Sequence, residues 1–360
     1  MSGTVLIAGA GGVVGSAAVE HWAGLPGWQV IALSRRRPPG LPASVQHVAA
    51  DLTDAEACAA ALRAMPPVTH LFYSALYELP ELVAGWRDPR QMAVNLAMLR
   101  HLLDAIEGVR MPLRHITLMQ GAKAYGGHVE PAPVPCKERS PRHPHENFYW
   151  LQEDLLRERQ RRAAWQFSIL RPQVVFGHAP GSPMNVIAAL GAYAALRREQ
   201  GLPLAYPGGG RFVVAASDSR LIAQAAVFAA TAPVAAGQTY NVVNGDLLVW
   251  QDLWPALADH FGMPLGPDEP AVLAQCMPAQ EAAWARIVER HGLQPLTLAA
   301  LIGSSWQFAD RSLGSGHPHP PHSVLSGIKL RQHGFAECLD TEDALHHWLG
   351  RLQDERLLPR

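Results

Sequence analysis

Cysteine is scarce in this chain and charge is nearly balanced. Only four cysteines occur in 360 residues, Cys58, Cys136, Cys276 and Cys338. They lie far apart with no Cys-x-x-Cys pair, which excludes a disulfide framework and a cysteine zinc site and suits a reducing compartment. Thirty basic against 31 acidic residues leave a formal charge of −1, so no bulk field draws the molecule to nucleic acid or to an anionic membrane. Long apolar runs are missing too. The N-terminus has no basic region before its apolar stretch, and the longest later run, Val186 to Leu196, is too short to cross a bilayer. No internal repeat is present. The expectation is a cytoplasmic protein whose partners are small molecules.

What the chain does have is a large apolar content, 48% hydrophobic, enough for one large domain or two linked ones. It opens on an organising stretch, Val5-Leu6-Ile7-Ala8 running into Gly9-Ala-Gly-Gly12-Val13-Val14-Gly15 and then a helix-forming segment. Strand, tight turn and helix follow one another. Glycines at 9, 12 and 15 let the backbone turn, approach a pyrophosphate and pack the helix against the strand. The helix N-terminus offers free N–H groups and a positive dipole end to phosphates. This is the pattern of a dinucleotide site.

A second strand, Trp28 to Ser34, ends in Arg35-Arg36-Arg37. An acidic residue at that junction would suit the 2′-hydroxyl of NAD, whereas Ser34, Arg35 and Arg36 suit a 2′-phosphate, so NADP(H) is expected. A third strand, Val45 to Ala49, delivers Asp51 and Leu52 to flank the adenine; a fourth, Val68 to Tyr73, ends at Ser74 and Ala75. Helical periodicity runs from about Pro89 to Glu107, carrying an Asn95 read as structural. A fifth strand, His115 to Met119, brings Gln120 and Lys123 to the same rim. After a Gly-, Pro- and His-rich loop a helix starts near Asn147, a sixth strand spans Phe167 to Arg171, and a seventh starts at Thr239. Alternating strands and helices predict an α/β doubly wound parallel sheet. The predicted division is a Rossmann domain from 1–177 plus about 212–249, and a smaller, mainly helical substrate lobe and lid from about 178–211 and 250–360. His317, His319 and His322 sit in a Pro-rich loop whose spacing fixes no tetrahedral metal site.

Tyr149 lies one turn into a helix beside the dinucleotide, with Lys123 on a neighbouring element. A neutral tyrosine donates a hydrogen bond, and a nearby ammonium makes it a better donor. The common Tyr-x-x-x-Lys arrangement is absent, because the fourth position is Glu153. A carboxylate there is expected to raise the tyrosine pKa and keep the phenol protonated.

Asn147-Phe-Tyr-Trp-Leu-Gln-Glu-Asp154 resembles the N-F-Y-Y-x-x-E-D signature of the progesterone 5β-reductase and iridoid synthase-like branch of the short-chain dehydrogenase/reductase superfamily, with Trp150 for the second tyrosine. Gly121-Ala-Lys-Ala-Tyr-Gly126 is similar to that family's T-G-x-K-H-Y-x-G-P segment without its final proline. Further matches are Arg171-Pro172 through Phe176-Gly177, Met184-Asn185, Asn241 through Asp246 with Trp250, and His333-Gly-Phe335. The resemblance implies an extended short-chain dehydrogenase/reductase fold, a homodimer, and NADPH-dependent reduction of the activated C=C bond of α,β-unsaturated carbonyls. It implies Tyr149 and Lys123 as catalytic residues, and adds Pro172, Val174, Ser182 and Met184 to the cofactor-binding set. Two rival readings share the fold: reduction of the carbonyl itself or alcohol oxidation, and an NADP-sensing regulatory protein, against which retention of Tyr149 and Lys123 argues.

Overall fold

The computed structural model describes residues 2–360. Its organising feature is a seven-stranded, wholly parallel sheet of order β3-β2-β1-β4-β5-β6-β9. The first half runs β1 (Gly3–Ala8), α1 (Val13–Ala23), β2 (Trp28–Ser34), β3 (Gln46–Ala49), α2 (Ala55–Arg63) and β4 (His70–Tyr73). A short α3 (Leu82–Gly85) and the long α4 (Pro89–Gly108) precede β5 (His115–Met119), α5 (Phe148–Gln160) and β6 (Gln166–Pro172). The predicted strands and helices stand within a few residues of their expected bounds, because buried parallel strands carry continuous apolar runs.

Helix starts follow local chemistry. Asp54 caps α2 by accepting from Glu56 N and Ala57 N, and Asp88 followed by Pro89 opens α4. Proline fits the first helical position because its missing N–H would have had no partner there.

Beyond β6, a two-stranded parallel pair joins β7 (Val174–Phe176) to β8 (Ala216–Asp218), with the buried α6 (Val186–Glu199) between them in sequence. Then come α7 (Ser219–Thr231) and β9 (Thr239–Val242). The rest is helical: α8 (Trp250–His260), α9 (Leu273–Cys276), α10 (Glu281–His291), α11 (Leu298–Ile302), α12 (Ser305–Leu313), α13 (Ile328–Gln332) and α14 (Thr341–Asp354). Apolar clusters cover both faces of the sheet, and a third joins α6, α8, α10, α12 and α14. Asp218 ties these layers. Its carboxylate caps α7, pairs with Arg220 at 2.6 Å and accepts from Trp348 Nε1 of α14 at 3.0 Å, with no exposure of its own. No helix among the described residues is long and apolar enough to cross a membrane.

Candidate active site

The three glycines of the first turn do different jobs. Gly9 takes φ +87, and a Cβ on it would lie 2.6 Å from Ala75 N at the end of β4. On Gly15 a Cβ would stand 2.1 Å from the Gly9 carbonyl oxygen, so only glycine lets α1 seat this close to the turn. At Gly12 an added Cβ meets nothing closer than 3.5 Å, which leaves its outer side facing open space, where a pyrophosphate fits.

That space is one end of a cavity of about 1470 Å³ outside the carboxyl ends of the strands. Single-ligand pockets run roughly 300 to 1,000 Å³, so this one has room for a dinucleotide and a second molecule. Every expected residue lines it: Gly9, Gly12, Val13, Val14, Gly15, Ser34, Arg35, Arg36, Asp51, Leu52, Ser74, Ala75, Gln120, Lys123, Tyr149, Pro172, Val174, Ser182 and Met184. Several of their side chains are already engaged. Ser34 Oγ donates to the Arg36 carbonyl at 2.7 Å and shapes the turn carrying the exposed Arg35 and Arg36. Ser74 Oγ donates back to Ala8 O, and Asp51 Oδ1 accepts from Thr53 N and Oγ1, which holds its pKa below the usual carboxylate range. The Gln120 amide is buried, receiving Arg171 Nε at 2.8 Å and donating to Tyr149 O at 3.1 Å, so its side chain braces the site from beneath.

At the middle of the cavity, Asn147 caps α5. Its Oδ1 accepts from Tyr149 N at 3.0 Å, and its Nδ2 donates to Lys123 O at 3.2 Å, so one side chain ties the helix start to the lysine turn. Lys123 is carried on a short 3₁₀ turn, Ala122–Tyr125, just past β5 rather than on the strand itself. Its Nζ lies 3.8 Å from the centroid of the Trp86 ring and 3.6 Å from Met184 Sδ. Burial pulls its pKa down to about 8, opposed in part by Glu78 and aided by Arg311. Tyr149 is buried, and its hydroxyl makes no hydrogen bond among the described residues. Loss of solvent pushes its pKa well up, with Glu78 adding to that and Arg171 opposing it.

The carboxylate acting on Tyr149 is therefore Glu78, not Glu153 as the spacing suggested. Buried Glu153 leans away from the cavity, pairing with the exposed Arg157 at 2.8 Å and Arg142 at 3.2 Å and with the buried Arg171 at 3.5 Å. The arginines outweigh burial and hold its pKa below the usual carboxylate range. Glu78 sits on the segment after β4, which α4 pins on both sides: Asn95 accepts from Tyr77 N and donates to Tyr77 O, and Gln91 Oε1 accepts from Leu79 N. Asn95 is thus structural, as expected. Glu78 Oε1 accepts from Trp86 Nε1 at 3.3 Å, while Oε2 is buried without a partner, and burial raises its pKa.

Glu78, Trp86, Arg87 and Arg311, which line the cavity, carry no readable signal in the sequence. Trp150 lies outside it, between the guanidinium groups of Arg142 at 4.9 Å and Arg171 at 5.3 Å. The family-like segments near Asn241 and His333 are braces: Asn241 Oδ1 accepts from Tyr125 Oη at 2.7 Å, and the Tyr240 hydroxyl pairs with His333 Nδ1 at 2.8 Å.

Residues 56–297 match the PRISE-like Rossmann-fold domain. The chain belongs to that family. This PRISE-like chain is 31% identical over 375 residues to an (S)-8-oxocitronellyl enol synthase of Camptotheca acuminata, covering 98% of the chain and 93% of the relative. It is 30% identical over 381 residues to the 3-oxo-Delta(4,5)-steroid 5-beta-reductase of Arabidopsis thaliana, covering 98% and 92%. In fold it is similar to a Thermus thermophilus UDP-glucose 4-epimerase solved with NAD, at TM-score 0.67 and 20% identity over 97% of this chain and 99% of that one. A Thermotoga maritima UDP-glucose 4-epimerase reaches TM-score 0.70 at 16% identity, covering 98% and 99%. The chain is accordingly an enzyme of the short-chain dehydrogenase/reductase type, with the extended Rossmann fold.

Proposed function

We propose that this enzyme uses NADPH to reduce the activated C=C bond of an α,β-unsaturated carbonyl. The observation that carries the reading is the meeting of Tyr149 and Lys123 in one cavity with the glycine turn. The relatives named as a steroid 5-beta-reductase and as 8-oxocitronellyl enol synthases support it. The glycine turn, Asp51, Leu52, Ser74 and Ala75 would hold the dinucleotide, with Arg35 and Arg36 at its 2′-phosphate. When bound, NADPH supplies hydride to the β-carbon of the substrate.

Negative charge then develops on the carbonyl oxygen as an enolate. Tyr149 Oη, free of any protein partner among the described residues and with its pKa raised, stays protonated and donates to that oxygen. Lys123 supports that donation as a cation, held between the Trp86 face and Met184. A phenol kept protonated suits donation and suits alcohol oxidation poorly, since oxidation needs a tyrosinate base. Both directions should be measured on one preparation with NADPH or NADP⁺, using small enals, cyclic enones and steroid enones, with products identified. Loss of the C=C bond with the carbonyl retained is the expected result. Allylic alcohols as sole products, together with fast oxidation of secondary alcohols, would make this a carbonyl reductase.

A further inference from the structure

On the substrate side of the cavity, cations outnumber available acids. Arg87 and Arg311 come from α3's exit and from α12, and both line the cavity beside Trp86 and Lys123. Arg87 Nη2 donates to His128 O and Arg311 Nη2 to Gly127 O, each at 2.6 Å, so the two guanidinium groups converge on successive carbonyls of one loop. Neither has a carboxylate partner among the described residues, and each remains exposed. The Arg311 guanidinium end is partly desolvated although the residue as a whole is exposed, which disfavours its charged form, and Arg87 is close enough to add to that.

The acids that could have neutralised them are engaged elsewhere. Asp310, next to Arg311 in sequence, accepts from Leu273 N and Ala274 N at 2.7 and 2.9 Å. Glu130 pairs with His143 at 2.7 Å, and Asp88, next to Arg87, caps Arg90 N. Glu78 also lines the cavity, but it lies beside Lys123 and Trp86. Two guanidinium groups held together with free N–H donors are a fork for an oxyanion.

We infer that the substrate is an unsaturated carbonyl compound that also bears an oxyanion, carboxylate or phosphate, and that Arg87 and Arg311 bind that group. This rests on the proposed reduction and adds a substrate class to it. It also implies that a preceding step leaves an acid or a phosphate ester on the chain.

The test uses linear methyl enones that end, after spacers of increasing length, in a carboxylic acid, in its methyl ester or in a phosphate monoester. Their saturated counterparts are used as binding probes. At the best spacer an anionic form should exceed the ester in kcat/KM by about 10- to 100-fold, the equivalent of one charge-assisted hydrogen bond. Arg311→Gln and Arg87→Gln should each cut that ratio about tenfold or more, mainly through KM. The ratio should also fall with added salt. Whichever of the acid and the phosphate is preferred identifies the group. Titration of the saturated keto acid and its ester into the protein makes the result independent of turnover. Arginine-dependent binding of the acid with no enone reduced would retain this inference and remove the C=C chemistry. Equal handling of acid and ester by the wild-type protein, in binding and in turnover, would overturn the inference and leave the reduction standing.

Discussion

Asn147 joins Lys123 to Tyr149: its amide nitrogen donates to the lysine carbonyl while its oxygen caps the tyrosine N–H. The two proposed catalytic groups come from different elements, and this side chain links them directly. Asn147→Ala should lower kcat/KM about tenfold through misplacement. It should also lower stability by about 1 kcal/mol through the lost cap. Asn147→Asp keeps the cap but sets a carboxylate oxygen against the Lys123 carbonyl, so the lysine turn should shift and the rate fall although the helix start is still capped.

Tyr149→Phe removes the hydroxyl that faces the cavity. Loss of one such donor costs about 10² to 10³ in rate. NADPH affinity should be nearly unchanged, because the glycine turn and Arg35 and Arg36 lie at the other end of the cavity. Near-normal enone turnover in this variant would show that another group holds the enolate.

Lys123 gives the pH dependence its sign. Burial lowers its pKa to about 8, so the ammonium is present below that value and is lost as pH rises through it. The rate of enone reduction should be flat near neutrality and fall above pH about 8. For stability the sign is opposite: between that value and the ordinary lysine pKa the unfolded chain binds more protons, so raising pH there favours the folded state. Lys123→Met should therefore melt at a higher temperature than wild type while losing most of its activity. Rate profiles from pH about 6 to 10 and thermal melts check both halves.

Arg35 and Arg36 are exposed on the turn after β2 with no acidic partner at salt-bridge distance among the described residues. A charge-assisted contact to a 2′-phosphate is worth about 1.5 to 3 kcal/mol. NADPH should bind at least about tenfold more tightly than NADH, and alanine at both positions should erase the difference. Titration of both cofactors measures it.

Glu153 occupies the position where a related arrangement places a lysine, yet introducing that lysine should not restore alcohol chemistry. It would set a fourth cation among Arg142, Arg157 and Arg171, of which Arg171 is buried. Glu153→Gln should cost about 3 kcal/mol, and Glu153→Lys more. The wild-type contribution is present above the ordinary carboxylate range and lost as pH falls through the lowered pKa of Glu153. Chemical denaturation at two pH values tests this.

The sheet, the glycine turn and the start of α5 were legible because each rests on local pattern: continuous apolar runs, glycine spacing and an asparagine cap. The direction of Glu153 was not. Its spacing puts it on the helical face of Tyr149, but Arg171 on β6 draws the carboxylate the other way, and that contact is made only when strand and helix pack. Glu78 and Arg87 lie on short segments without periodicity, and Arg311 joins them from a helix far along the chain. Nothing local marks residues whose relation is created by folding.

Asp218 sets an order on the birth of the molecule. Its carboxylate has no exposure, and of its side-chain partners one, Trp348, lies on the last helix. While the chain is still being synthesised that indole has not emerged, so the anion can be answered only by Arg220 and the start of α7. The helical layer around the β7–β8 pair therefore cannot close against water until α14 is free to dock. A nascent chain stalled before Trp348 should expose the apolar faces of α6 and α8 to chaperones, and release of the final helix should end that exposure.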